Sequence, residues 1–155
     1  MFGVKPLVTN SLSILVVDDD KMSYDLVRLY LGCNGTTVAW ANRGHLGVGA
    51  VKERRYDLVF MDIMMPEMDG YEATLEIRKL AQEQPYIVAF TALESGNAKK
   101  FCEDHEFDAY LPKPIRKAGL NEVVSAVRRW KGEREVEGSL EENCVVSSVS
   151  SAGEA

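Results

Sequence analysis

Short runs of apolar residues alternate with helical patterns over most of this chain. The runs are rich in Val, Ile, Leu and Phe and lie at about 13–17, 36–41, 57–61, 86–90 and 108–111. They lack the alternation of polar and apolar positions that a half-exposed strand shows, so we expect strands covered on both faces. Since a helical pattern follows each run, the chain is predicted to form a parallel sheet of five strands with five helices.

The predicted helices differ in the strength of their apolar spacing and capping residues. The clearest stripe, which is predicted to face the sheet, belongs to the last helix and comprises Leu120, Val123, Val124 and Val127. Asp20 is placed to cap the first helix and Ser95 the fourth. Asp69 and Glu72 form a capping-box pattern before the third helix. The second helix, at about 44–54, is the weakest because it contains three glycines.

Composition and charge narrow the classes of protein to consider. The 155 residues allow one compact domain, and 46% of them are hydrophobic, which suffices for a core without disulfides or metal. The net charge of −6 argues against direct binding of nucleic acid or anionic lipid, which requires clustered positive charge. The longest apolar runs are about four residues, far below the ~20 of a spanning helix. We therefore expect no membrane insertion and a cytoplasmic location.

The compact domain is predicted to span 13–130, after an N-terminal extension at 1–12. Residues 131–155 contain six Glu against one Lys and one Arg, together with five Ser and no aromatic residue. A segment of this composition buries little apolar surface. We therefore predict that 131–155 is a disordered acidic tail or the start of a linker.

Polar residues follow four of the predicted strands: Asp18 and Asp19 the first, Asp62 the third, Thr91 the fourth and Lys113 the fifth. Because functional residues of an open parallel sheet gather beyond the carboxyl ends of its strands, we expect these side chains to meet at one edge. Two carboxylates ~4 Å apart repel by roughly 4 kcal/mol at an effective dielectric constant of 20. The cluster is therefore predicted to hold a hard divalent cation, Mg²⁺ or Mn²⁺ in its place.

Each of these residues also has an ordinary structural explanation. A single Asp after a strand is most often a turn or cap residue, and Asp20 is expected to be one. Thr91 could be purely structural, and Lys113, which stands between two prolines, could be a solvated loop charge. Their joint placement at matching strand ends favours a functional site.

Four motifs contain these residues: Ile14 to Asp19 (ILVVDD), Tyr56 to Glu72 (YDLVFMDIMMPEMDGYE), Thr91-Ala92 and Lys113-Pro114. Together they resemble the receiver domain of two-component response regulators. The resemblance extends over about 13–130 and implies an α/β, flavodoxin-like doubly wound sheet in the strand order 2-1-3-4-5, with five helices. Lys113-Pro114 resembles the family's cis-proline turn, whereas Pro112 departs from the usual pattern and indicates an edge strand.

The resemblance implies a role for each motif residue in phosphoryl transfer. Asp62 would be the phosphoacceptor, which attacks a phosphohistidine or a small acyl phosphate. Lys113 would pair with the phosphoryl oxygens, and Thr91 would hydrogen-bond one of them. These roles suit a reaction that depends on positioning and charge neutralisation.

The resemblance also implies a Mg²⁺ site. Asp19 would be the principal ligand, and Asp18 would act partly through water. Asp62 and the backbone carbonyl of Met64 would complete the set of protein ligands.

Tyr110 occupies the position of the family's aromatic switch. In that role, Thr91 moves toward the phosphoryl group and Tyr110 turns into the space that Thr91 leaves. This movement changes the face made by the fourth helix, fifth strand and fifth helix, where a downstream protein would bind. The alternative is that Tyr110 is an aromatic residue of an edge strand with no switching role.

A signalling module, rather than a turnover enzyme, is the function that the resemblance implies. The phosphoryl donor would be a histidine kinase or a histidine phosphotransfer protein. The MDIMMPEMDGYEAT stretch is most similar to receivers of hybrid histidine kinases and phosphorelays, and a stand-alone receiver is the second interpretation.

Two other functions stay open on the sequence. A phosphate-independent, receiver-like scaffold would keep the fold without accepting phosphate, although the complete set of site residues argues against it. A phosphatase of the haloacid dehalogenase type would use Asp18 as nucleophile and Asp20 as acid. However, Lys21 and Met22 follow where that family has Thr or Val, and the chain is too short for a cap insertion.

Overall fold

The computed structural model describes residues 11–80, 82–92 and 96–149, with side chains described as far as 137. Strands and helices alternate in the order β1 (Ser13–Val17), α1 (Lys21–Leu31), β2 (Thr37–Ala41), α2 (Gly44–Glu53), β3 (Leu58–Asp62), α3 (Gly70–Arg78), β4 (Tyr86–Thr91), α4 (Ala98–His105), β5 (Ala109–Pro112) and α5 (Lys117–Val149). Each strand begins and ends within one residue of its predicted bounds.

The strands form one parallel sheet in the order β2-β1-β3-β4-β5. Val17 at the end of β1 pairs with Ala41 of β2 and with Met61 of β3, and Asp62 pairs with Phe90 of β4. The carboxyl ends of neighbouring strands therefore lie level with one another. The order reverses at β1, which makes the sheet doubly wound and confirms the predicted flavodoxin-like fold.

Side chains of the strands alternate between two cores, one on each face of the sheet. On one face, α1 and α5 contribute Val27, Leu120 and Val127, all completely buried. The apolar stripe predicted for the last helix therefore faces the sheet. On the other face, α2 and α3 contribute Val51 and Ile77. Burying one such aliphatic side chain stabilises the fold by about 1.5–3 kcal/mol.

The helix starts follow local capping chemistry. The carboxylate of Asp20 accepts a backbone N–H in the first turn of α1 at 2.9 Å. Asp69 and Glu72 form the predicted capping box of α3, in which each side chain accepts the other's backbone N–H. The prediction for α4 is wrong, because α4 begins at Ala98 and its cap is Asn97. Ser95 lies outside the described residues.

The last helix is longer than the sequence predicts. The structure shows no break at 130, and α5 continues through 131–149, where we expected a disordered tail. Glu, Lys and Arg are good helix formers, and extending an existing helix needs no new nucleus. None of the described helices, α5 included, is long and apolar enough to cross a membrane.

Residues just beyond 130 still contact the domain. The Nζ of Lys131 lies 2.8 Å from a carboxylate oxygen of Asp57, at the amino end of β3. The guanidinium of Arg134 donates to the carbonyl oxygen of Gln84 at 3.3 Å. At the other end of the chain, Leu12 is buried in the core beside α1 and α5. Residues on the far side of both predicted bounds, 13 and 130, therefore contact the domain.

Candidate functional site

The carboxyl edge of the sheet brings together the acidic residues that the sequence placed at strand ends. One carboxylate oxygen from each of Asp18, Asp19 and Asp62 lies within 4.8 Å of the others. Asp18 is completely buried, Asp62 is 5% exposed, and Asp19 faces solvent. Two of the three negative charges are thus removed from water while the third lines the opening of the site.

Lys113 bridges the two buried carboxylates. Its Nζ donates to Oδ2 of Asp18 at 2.6 Å and lies 3.6 Å from Oδ1 of Asp62. The ammonium also lies 4.8 Å from the ring centroid of Phe90, a cation–π contact. The backbone N–H of Lys113 donates to the carbonyl oxygen of Thr91 at 2.8 Å, and the Lys113–Pro114 peptide is cis.

The environment of Asp62 favours its uncharged form. Burial contributes most and the negative charge of Asp18 next, and together they raise the pKa of Asp62 to about 6. Lys113 and a hydrogen bond from the backbone N–H of Met64 act in the opposite direction. The Met64 backbone therefore lies beside this carboxyl, while its side chain is 66% exposed.

The donor set fits a hard divalent cation. When all three carboxylates are ionised, the ammonium of Lys113 leaves the cluster with excess negative charge, which adds to the larger effect of burial in raising the pKa of Asp62. Closely spaced carboxylate oxygens, one of them open to solvent, are the ligands that Mg²⁺ and Mn²⁺ take while keeping several waters.

Thr91 and Tyr110 lie on the neighbouring strands β4 and β5. Thr91 ends β4, is buried, and pairs with Pro112 of β5. Tyr110 is half-buried on β5, with its ring 5.6 Å from that of Phe101 on α4 in an edge-to-face arrangement. In this structure, the side chain of Tyr110 therefore packs against α4.

Gly70 is a site residue that the sequence analysis missed. Its backbone N–H donates to the carbonyl oxygen of Ile63 at 2.9 Å, which closes the loop between β3 and α3. A Cβ atom on Gly70 would lie 2.2 Å from the carbonyl oxygen of Asp62 and would push that residue away. The available signal was a glycine directly after the cap Asp69, eight residues past Asp62.

An open, doubly wound parallel sheet with three carboxylates and a lysine at its carboxyl edge defines the receiver class of signalling domains. The sequence model of the response regulator receiver domain matches residues 14–125. The chain belongs to the response regulator receiver domain family of two-component signalling.

Curated relatives contain this domain within longer proteins. The chain is 37% identical over 131 residues to the sensor protein GacS of Pseudomonas syringae pv. syringae, a match that covers 82% of this chain and 14% of GacS. It is 35% identical over 118 residues to the response regulator MprA of Mycobacterium ulcerans (strain Agy99), covering 76% of this chain and 49% of MprA. The chain thus spans half or less of the length of these two relatives.

Solved structures with this fold include receivers of both kinds of protein. The receiver domain of sensor histidine kinase PA1611 from Pseudomonas aeruginosa PAO1, which has a magnesium ion coordinated in its active site cleft, matches with a TM-score of 0.65 and 32% identity over 79% of this chain and 98% of that domain. The Francisella response regulator 1452 receiver domain matches with a TM-score of 0.69 and 26% identity, covering 78% and 99% of the two chains.

Proposed function

We propose that this domain is a phosphorylation switch of a two-component system or phosphorelay and that Asp62 is the residue that accepts the phosphoryl group. The position of Asp62 is the observation that carries this proposal. Its carboxylate ends β3 within a group of three carboxylates, and Oδ1 lies 3.6 Å from the Nζ of Lys113. A nucleophile, an acidic cation pocket and a fixed positive charge thus occur together.

In the proposed transfer, a carboxylate oxygen of Asp62 attacks the phosphorus atom of a phosphohistidine. The new O–P bond forms as the N–P bond breaks, and the electron pair of that bond returns to the imidazole nitrogen of the donor. Lys113, held in place by Asp18, pairs with the phosphoryl oxygens, and the hydroxyl of Thr91 hydrogen-bonds one of them. Such a loose transition state is stabilised by positioned positive charge.

The proposed cofactor is Mg²⁺, with Mn²⁺ as a substitute. Asp18, Asp19 and Asp62 supply carboxylate ligands, and the backbone carbonyl of Met64 is the proposed fourth protein ligand. When bound, the cation neutralises the charge that the phosphoryl group and the carboxylates bring together. The magnesium ion in the cleft of the PA1611 receiver supports this assignment.

The proposed donor is a histidine kinase or a histidine phosphotransfer protein, in agreement with the names of the sensor kinase relatives. The domain then acts as a substrate and switch, not as a turnover enzyme. Its output is the face formed by α4, β5 and α5, where Tyr110 changes position when Thr91 contacts the phosphoryl group. A downstream protein reads that face.

Intact-mass measurement tests the proposal directly. We expect wild type incubated with acetyl phosphate or phosphoramidate and Mg²⁺ to gain one phosphoryl group, ~80 Da. Asp62→Ala should gain nothing, and EDTA should prevent the gain in wild type. Asp57→Asn is a matched control, because Asp57 lies next to the opposite, amino end of β3 and pairs with a lysine of its own.

The other outcomes separate the competing functions. If neither small donors nor a phosphohistidine-containing protein adds mass to wild type, the domain is a phosphate-independent scaffold. Continuous release of phosphate from an ester would instead indicate a phosphatase. That outcome has no structural support, because Asp20, its required acid, caps α1.

A further inference from the structure

Trp40, near the end of β2, is hydrogen-bonded to the acidic loop, residues Asp18 to Asp20 between β1 and α1. Its indole Nε1–H donates to the backbone carbonyl oxygen of Asp18 at 2.8 Å. β1 ends at Val17, so this carbonyl lies just beyond the last residue of the strand. A partly buried carbonyl in such a position needs a donor, and the indole supplies one from the neighbouring strand.

The hydrogen bond from Trp40 completes the fixation of Asp18. The backbone N–H of Asp18 donates to the carbonyl oxygen of Ala41 at 3.1 Å. Its Oδ1 accepts the backbone N–H of Asp20 at 2.9 Å, and its Oδ2 accepts from Lys113 at 2.6 Å. Each polar atom of Asp18 is therefore held by a partner.

Tyr24 of α1 orients the indole ring. The two rings are stacked, with centroids 5.7 Å apart and an interplanar angle of 16°. Tyr24 lies four residues after Asp20, the cap of α1, so the stacked pair joins the first turns of α1 to the end of β2. The hydrogen bond to Asp18 and the stacking on Tyr24 together restrict the rotamer of Trp40.

We propose that Trp40 is a positioning residue for the cation site, an inference that rests on the proposed Mg²⁺-dependent function. The carbonyl that Trp40 holds belongs to the peptide group joining Asp18 to Asp19. Fixing this peptide plane fixes the point from which the solvent-facing Asp19 side chain extends toward Asp18 and Asp62. Without the indole donor, the plane can rotate and the three ligands lose their preorganised spacing.

Mg²⁺ titrations followed by the amide NMR shifts of residues around Asp18 and Asp62 test this role. Trp40→Phe keeps an aromatic ring for Tyr24 and removes the N–H donor. We expect it to weaken Mg²⁺ binding about three- to tenfold, the effect of losing one hydrogen bond. The phosphorylation rate should fall at low Mg²⁺ and return to the wild-type value at saturating Mg²⁺. If the role of Trp40 were purely structural, Trp40→Phe would lower thermal stability, and its phosphorylation rate would not depend on Mg²⁺ concentration in this way.

Trp130→Phe is the matched control, because Trp130 packs edge-to-face on Tyr86 near the amino ends of the strands. It should leave Mg²⁺ affinity unchanged. It also leaves Trp40 as the sole tryptophan, so its fluorescence should respond to Mg²⁺, whereas that of Trp40→Phe should not. If Trp40→Phe does not fold, replacing Trp40 with benzothienylalanine retains the ring shape and lacks only the N–H.

The results distinguish this inference from the proposed function. Wild type that binds Mg²⁺ and gains a phosphoryl group, together with unchanged Mg²⁺ affinity in the donor-less variant, would overturn the role of Trp40 alone. Equal weakening by Trp130→Phe would do the same. Wild type that binds no Mg²⁺ and gains no mass would overturn both.

Discussion

The surroundings of the Asp62 carboxyl group disfavour its ionised form. Its side chain is nearly buried, next to the completely buried Asp18, and the ammonium of Lys113 is closer to Asp18 than to Asp62. The resulting pKa of about 6 means that the folded domain holds this proton more tightly than an unfolded chain does. The same features that make the site able to bind a cation therefore destabilise it without one.

The raised pKa of Asp62 predicts how the stability of the folded, metal-free domain depends on pH, as measured in EDTA. Between the ordinary carboxyl pKa of 3.8 and the folded value of about 6, the folded state binds more protons than the unfolded state. The contribution of Asp62 to stability therefore falls as pH rises through this range and stays low above it. Asp62→Asn removes the titrating group and should stabilise the metal-free protein at pH 7 by about 1–2 kcal/mol, since solvent at the site reduces the full effect.

Urea unfolding of wild type and Asp62→Asn at pH 4.5 and pH 7 measures this difference, which should shrink at the lower pH. Mg²⁺ should stabilise wild type at pH 7 more than the variant. Asp25→Asn, on the exposed face of α1, should change stability by less than about 0.5 kcal/mol at either pH. A variant Asp62→Asn that is no more stable than wild type at pH 7 would contradict the explanation.

At the scale of elements, α2 shows how a helix that is weak by propensity is retained. A Cβ atom on Gly47 would lie 2.7 Å from a methyl group of Val17 in β1. The glycine therefore lets α2 approach the strand that leads into the acidic loop. Gly49, on the same helix, has no atom within 4 Å of the corresponding position. The two glycines thus have the same low helix propensity, but only Gly47 lies where a Cβ atom would clash with a neighbour.

We expect the same substitution at these two glycines to have opposite effects. Gly47→Ala should destabilise the domain by about 1–3 kcal/mol through overpacking against Val17. Gly49→Ala should stabilise it by about 0.5–1 kcal/mol, because alanine is the better helix former. Thermal or urea unfolding of the two variants provides the comparison. A destabilising Gly49→Ala would show that the second glycine also has a packing role.

At the scale of the whole molecule, the carboxyl ends and the amino ends of the strands carry different groups of contacts. The carboxyl edge gathers the carboxylates and Lys113, whereas the amino edge connects the sheet to α5. There, Lys131 pairs with Asp57, and Asp57 also accepts the backbone N–H of Ser13 at 2.8 Å. The guanidinium of Arg134 lies 4.7 Å from the ring centroid of Trp130. These contacts bind the first residues beyond 130 to the domain.

Shortening the chain tests the contribution of this edge. A chain ending at Trp130 loses the contacts of Lys131 with Asp57 and of Arg134 with Gln84 and should be less stable than one ending at Glu137, by about 1–2 kcal/mol. Both chains should gain the same phosphoryl mass with Mg²⁺, because the carboxyl edge is unaffected. Urea unfolding and intact mass measure the two effects. Equal stability would place the end of the domain at 130 after all.

Sequence reasoning predicted the elements that depend on local pattern. The unbroken apolar runs identified β1, β3 and β4, and the spacing of Leu120, Val123 and Val127 identified the buried face of α5. The gathering of Asp18 and Asp62 followed from one topological rule, namely that parallel strands end at a common edge. These features need only the identities of nearby residues and the direction of the strands.

Other features depend on long-range packing that no local pattern contains. Trp40 reaches Asp18 because β1 and β2 pair in register and α1 supplies Tyr24 beside the ring. The α5 helix passes the predicted boundary at 130, where Lys131 meets Asp57.

The sequence alone thus determined the strands, the helices and the edge at which the acids and Lys113 meet, because hydrophobic periodicity and chain direction are local properties. Only the tertiary structure decided how Asp18 is held, how strongly Asp62 keeps its proton and that the last helix continues past residue 130. Each of these depends on distances between residues that are far apart in the chain, and those distances are set by strand register and side-chain packing.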